Sequence, residues 1–200
     1  MTIVPCANLL GFLARTIEVA DLQAVARAAT ASEDLPSIVV ELAVPLSSHR
    51  WPSLPQSASA HESLSLRLLA LLDQVCRAGL THAEHVQLLY CASMVLAVDR
   101  LPGRSSGLEY YAVVAVAVAA CALGAPVRVA AAEFLELDGL DQHDPLTRES
   151  LACTRMILQG QRGDEAVARW TQTTAGLRRF GGDGLLTRLL DWCAAHIRTT

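Results

Sequence analysis

LEYYAVVAVAVAACALG, residues Leu108 to Gly124, is the stretch whose reading decides the fold. Beyond Glu109 and the Tyr110-Tyr111 pair at its start, it contains only alanine, valine, leucine, one cysteine and the closing glycine. A helix that is apolar on every side has to be enclosed by other elements. A bilayer is one such enclosure, but a span needs about 20 clearly apolar residues. This run is bounded by Glu109 and by Gly124 with Pro126, and much of it is alanine. It therefore reads as a buried helix over about 108–123. Its small side chains let neighbours approach closely on several sides, as a central helix requires.

Outward from this helix, the boundaries of its neighbours are legible. Ser59-Ala60-His61-Glu62, Thr81-His82-Ala83-Glu84 and Ser106-Gly107-Leu108-Glu109 all match the S/T-x-x-E capping box. In that motif a hydroxyl and a carboxylate satisfy amides at a helix N-terminus. Gly79, Pro102-Gly103 and Gly124 supply the matching stops. Three consecutive helices with short turns make antiparallel neighbours. Downstream, Pro126 starts a helix to about Leu137, and Asp144-Pro145 caps and starts one ending near Gly160. Asp164 begins a helix to about Leu177, and Asp183 caps a last one from Gly184 to Ile197. No strand pattern follows residue 60, so the expected class is all-α, with antiparallel helical hairpins packed around the central apolar helix.

The N-terminal part divides differently. Residues 1–46 read as a helical segment, with short helices over Cys6–Arg15 and Val19–Ala31. Leu35–Leu46 admits a short helix or a strand, and the helix is preferred because no second strand is visible to pair with it. Residues 47–60 are rich in serine and proline and form a linker or surface loop, pinned by Trp51. Residues 61–200 make the helical-hairpin domain, and a single domain overall is also compatible.

Two resemblances bear on function. Gly124, Ala130 and Phe134 are matched by Gly160, Ala166 and Trp170 at a constant offset of 36. In each copy a glycine ends one helix, and an alanine and an aromatic lie four apart on the next. Over about 108–177 this resembles the second helix of tetratricopeptide repeats, which run about 34 residues. The family's Trp, Leu-Gly and Tyr pattern is missing from the first helix. The resemblance implies stacked hairpins that present a groove to a partner helix or peptide. Upstream, LRLLALLDQVCRAGLTHAEHVQLL, Leu66 to Leu89, resembles the helix-turn-helix of death-effector domains. Val98-Asp99-Arg100-Leu101 stands where that family has Arg-x-Asp-Leu. That likeness implies a signalling interaction.

Composition narrows the partners. The chain is 52% hydrophobic with a mean hydropathy of +0.33, enough for a packed core. A net charge of -4 gives no broad basic field for nucleic acid. All 16 basic residues are arginine. A GC-rich genome accounts for this, and so does selection against lysine modification in an effector delivered to a host cell. The six cysteines contain no CxxC and fall largely in apolar stretches, as reduced core residues of a cytoplasmic protein do. No basic n-region precedes the first apolar run, which argues against a Sec signal.

Catalytic chemistry has few candidates. His82 and His85 share a helix face and, with Glu84 and His61, form the best imaginable metal cluster. HExxH and the ExxH pairs of di-iron bundles are both missing. Helix-start positions are ordinarily hydrated, and Glu84 already has a cap to serve. The expectation is therefore no metal or other cofactor and no catalytic residue. Nor does the sequence contain G-x-S-x-G, a Walker A motif or G-x-G-x-x-G. Gly181-Gly182-Asp183-Gly184 precedes a helix and offers amides to an anion, in competition with the Asp183 carboxylate.

The preferred function is a non-enzymatic interaction module (an adaptor, scaffold or chaperone) for a protein or peptide helix, and self-association is compatible with it. The alternatives are a helical enzyme or small-molecule binder with a buried pocket, and a death-effector-like or host-interacting protein.

Overall fold

A computed structural model of the chain describes residues 58–99, 107–136, 145–181 and 184–199. The expectations for 1–57, for the stop at Pro102-Gly103 and for caps at Asp144 and Asp183 lie outside the described residues. Among the described residues the structure is all-α, with eight helices and no strand. They are α1 Ala58–Arg77, α2 His82–Asp99, α3 Glu109–Leu123, α4 Ala125–Glu136, α5 Pro145–Leu158, α6 Asp164–Thr173, α7 Ala175–Gly181 and α8 Leu185–Thr199.

The apolar run becomes α3, and the other helices gather around it. Ala112 to Ala120 are all buried, none more than 2% exposed. Its most extensive packing is against α2 and α5, with α4 and α1 completing the surround. Close approach is possible because the facing residues are small on both helices. On α5, Thr147, Ser150 and Thr154 are fully buried, and the Thr154 hydroxyl donates to the Val113 carbonyl at 3.5 Å. Fifteen residues of α3 span about 22 Å at 1.5 Å per residue. Among the described residues, no helix is long and apolar enough to cross a membrane.

Helix α2 has a comparable enclosed run. Every residue from Val86 to Leu96 is buried, Gln87 and Ser93 included. Ser93 keeps its hydroxyl satisfied by donating to the Leu89 carbonyl at 2.7 Å, and the Arg67 guanidinium of α1 donates to the Gln87 amide oxygen at 2.9 Å. The two polar residues are thus tolerated because each finds an acceptor or a donor nearby.

Helix α8 closes the structure by packing on α1, α6 and α7. Its Leu186, Leu189, Leu190, Cys193 and Ile197 form one buried stripe at helical spacing. The Trp170 indole of α6 is fully buried and donates to the Leu190 carbonyl at 3.2 Å. At the surface Asp73 of α1 bridges Arg77 at 2.7 Å and Arg188 of α8 at 2.8 Å. Those guanidinium hydrogen bonds, Arg188 first, hold its carboxyl below the usual range.

Three expected boundaries are corrected. α1 already runs from Ala58, so Ser59 lies inside the helix and not at its cap. α3 begins at Glu109, with Leu108 as the cap and no side-chain cap bond. Gly107 at φ +67° holds a left-handed backbone that no helix residue adopts, so Glu109 falls in the first helical position and not the third. The helix expected over Asp164 to Leu177 is interrupted at Thr174, which is buried and has ψ near 0°. The Thr174 amide still donates to the Trp170 carbonyl and its carbonyl accepts from Arg178, both at 2.9 Å. Just beyond, the Glu149 carboxylate lies over Gly176 where a β-carbon would stand.

Thr81 and Glu84, by contrast, make the expected capping box. The Thr81 amide and hydroxyl donate to the Glu84 carboxylate at 2.7 and 2.8 Å, and the Glu84 amide donates back to the Thr81 hydroxyl at 3.3 Å.

Candidate functional site

The capping box sets the geometry of the first turn of α2, and with it the position of His85. Thr81 supplies the last carbonyl before the helix, and His85 Nδ1 lies 2.9 Å from it. Since a carbonyl only accepts, Nδ1 is the protonated nitrogen. His85 is half-buried, while His82 three residues earlier is exposed. Of the two imidazoles expected to be hydrated, His82 is exposed and His85 is partly so, its ring facing α3 and α8.

There it lines a cavity of about 220 Å³. The floor comes from Val118 and Cys121 of α3 with Ile157 of α5, and the opposite lining from Trp192, Cys193 and His196 of α8. Ala122, the first exposed residue after the enclosed run of α3, stands at the mouth. The Trp192 and His196 rings, one helical turn apart, are stacked with centroids 5.4 Å apart and planes within 7°. The Cys121 thiol donates weakly to the Ile157 carbonyl at 3.8 Å, tying α3 to α5 at the cavity floor.

Burial disfavours charge on three groups that line this cavity. Burial pushes the His85 pKa below its ordinary value of 6.5, with the neighbouring His82 acting in the same direction. The Thr81 carbonyl and the Glu84 carboxylate oppose that shift. Burial raises the thiol pKa of Cys121 and raises that of Cys193 well above the ordinary value. Both cysteines therefore line the cavity as neutral thiols, in the role of small hydrophobes rather than nucleophiles. The other buried cysteines behave alike, with Cys91 and Cys153 each pushed up to about 12 by burial.

The weak metal candidates His61, His82 and His85 are not brought into a cluster by the described residues. Glu84 is engaged by Thr81 and by the Gln74 amide at 2.8 Å, and the Thr81 amide holds its carboxyl below the ordinary value. His61 lies in α1, with its side chain outside the described residues. Among the described residues no three His, Cys, Asp or Glu side chains are grouped as metal ligands.

Sequence reasoning missed the cavity because its walls come from four helices and no local pattern joins them. The available signal was the Trp192–His196 pair at i, i+4 on an amphipathic helix, together with the point where α3 ceases to be enclosed. Buried polar atoms elsewhere lack partners, among them the Tyr90 hydroxyl, the Ser150 hydroxyl and Glu149 Oε2. No family model, curated protein or solved structure matches the chain.

Proposed function

We propose that this helical bundle is a non-enzymatic interaction module that seats one apolar anchor group of a partner protein between α2, α3, α5 and α8. The observation that carries this reading is the size and lining of the cavity. Pockets for drug-sized ligands and cofactors run about 300–1,000 Å³, while an apolar cavity of about 150 Å³ holds benzene. At about 220 Å³ the cavity suits one side chain rather than a whole cofactor. Its half-buried Trp192, His196 and His85 around a small apolar floor resemble the desolvated pockets that receive interface hot spots.

The partner in this reading is a protein or peptide helix, and the cytoplasm is the compartment that suits the apolar, unpaired cysteines. A small apolar molecule is the second reading, favoured by the same enclosed volume.

Ala122→Arg, which sets a charge at the exposed mouth, separates these from a surface-only mode of binding. A partner retained at fixed stoichiometry by the wild type should be lost with Ala122→Arg and kept with Leu66→Glu. Leu66 is 62% exposed on α1 and does not line the cavity. Equal retention by Ala122→Arg would rule out the pocket as the docking site. A small molecule that co-purifies with the wild type and disappears in Ala122→Arg would move the second reading into first place.

A further inference from the structure

The cavity is apolar except at two imidazoles, and the backbone settles the hydrogen bonding of one of them. His85 Nδ1 donates to the Thr81 carbonyl at 2.9 Å. In the neutral ring the lone pair is then on Nε2. Among the described residues, the Thr81 carbonyl is the one hydrogen-bond partner of His85. An acceptor left over at an apolar cavity discriminates for a ligand that brings an N–H or O–H, because a ligand without one strips water from Nε2 and returns nothing. The stacked Trp192 and His196, both lining the cavity, add aromatic surface, against which another ring packs by offset stacking or edge-on. The volume exceeds the roughly 150 Å³ that accommodates a single benzene ring. A fused two-ring system with one N–H meets all three conditions.

We infer that the anchor group is the indole of a tryptophan on the partner protein, packed against Trp192 and His196 and donating its N–H to His85 Nε2. This deepens the reading of the cavity as an anchor pocket and rests on it. A phenol brings a donor but leaves part of the volume unfilled, and a phenyl or aliphatic side chain leaves Nε2 without a partner.

Isothermal titration of the full chain with N-acetyl-tryptophanamide and with its benzothienylalanine counterpart isolates the donor, since sulfur replaces N–H in a ring of nearly the same shape. The tryptophan compound should bind about tenfold tighter, the upper end for one neutral hydrogen bond. His85→Phe should bring the two affinities together, and Trp192→Leu should weaken both in parallel. The wild-type ratio alone decides the matter if either variant folds poorly. Equal wild-type affinities would overturn the indole assignment and leave the anchor pocket standing. Binding of free indole without binding of N-acetyl-tryptophanamide would overturn the partner side chain as the source and make the site one for a small molecule. Failure of all three probes to bind would overturn both the assignment and the pocket reading.

Discussion

Helices α3 and α8 are equal in length and meet the core in opposite ways. α3 has no preferred face, and nine consecutive residues from Ala112 to Ala120 are buried. α8 buries one stripe and keeps Arg188 and Asp191 in water. The difference teaches how the molecule divides its work. A helix enclosed on every side fixes the positions of the others but has little surface left for chemistry. An amphipathic helix laid across the end of the bundle has a boundary between its two faces, and Trp192 and His196 sit on that boundary. The cavity forms where α3 runs out of enclosure, at Cys121 and Ala122, and α8 crosses over.

The largest test of this contrast adds a carboxylate to α3 and removes one from α8. Ala117→Asp puts a carboxylate where the native side chain is fully buried. A charge there without a partner costs several kcal/mol, so soluble folded protein should be lost. Asp191→Ala removes a carboxylate from α8 that is 62% exposed and paired with Arg178 at 2.7 Å. Exposed pairs contribute about 0–1 kcal/mol, and the melting temperature should move little. If Ala117→Asp melts like the wild type, α3 is not the organising element.

Of intermediate size is the link from α6 to α8. Trp170→Phe keeps most of the buried ring but deletes the N–H donated to the Leu190 carbonyl. The expected loss is about 1–3 kcal/mol, from an unmade hydrogen bond plus a small void, read as a lower denaturant midpoint. An unchanged midpoint would mean that α8 is held by its apolar stripe alone.

The smallest effect concerns the capping box beneath His85. Thr81→Ala should cost about 1 kcal/mol, as other cap deletions do. Glu84 has a depressed carboxyl pKa, caused first by the Thr81 amide. Its contribution is therefore fully present above the ordinary value of 4.5 and is lost as pH falls through the lower folded value. Denaturation curves between pH 6 and 3 should show this loss in the wild type and in Thr81→Ala, which keeps the amide. They should not show it in Glu84→Gln. A pH profile for Glu84→Gln identical to that of the wild type would remove the box from the account of α2.

How much was legible differs by element. The chain by itself determined the all-α class, the burial of the central helix as far as Ala120 and the cap at Thr81–Glu84, because each depends on residues within one helix or one turn of each other, while Ala122 in the same apolar run is exposed. Local patterns misplaced the start of α3, since the S-x-x-E match ignores the left-handed Gly107 inside it. They also ran α6 through Thr174, where one helix ends and the next begins at Ala175. The cavity belonged to tertiary structure alone. His82 and His85 share a helix face by spacing, at the first and fourth helical positions, and the cavity that distinguishes His85 is lined by Trp192 and His196 from more than a hundred residues away. Local sequence sets which face a helix buries, but which four helix ends converge is decided by how small side chains on α3 and α5 let those helices close on each other.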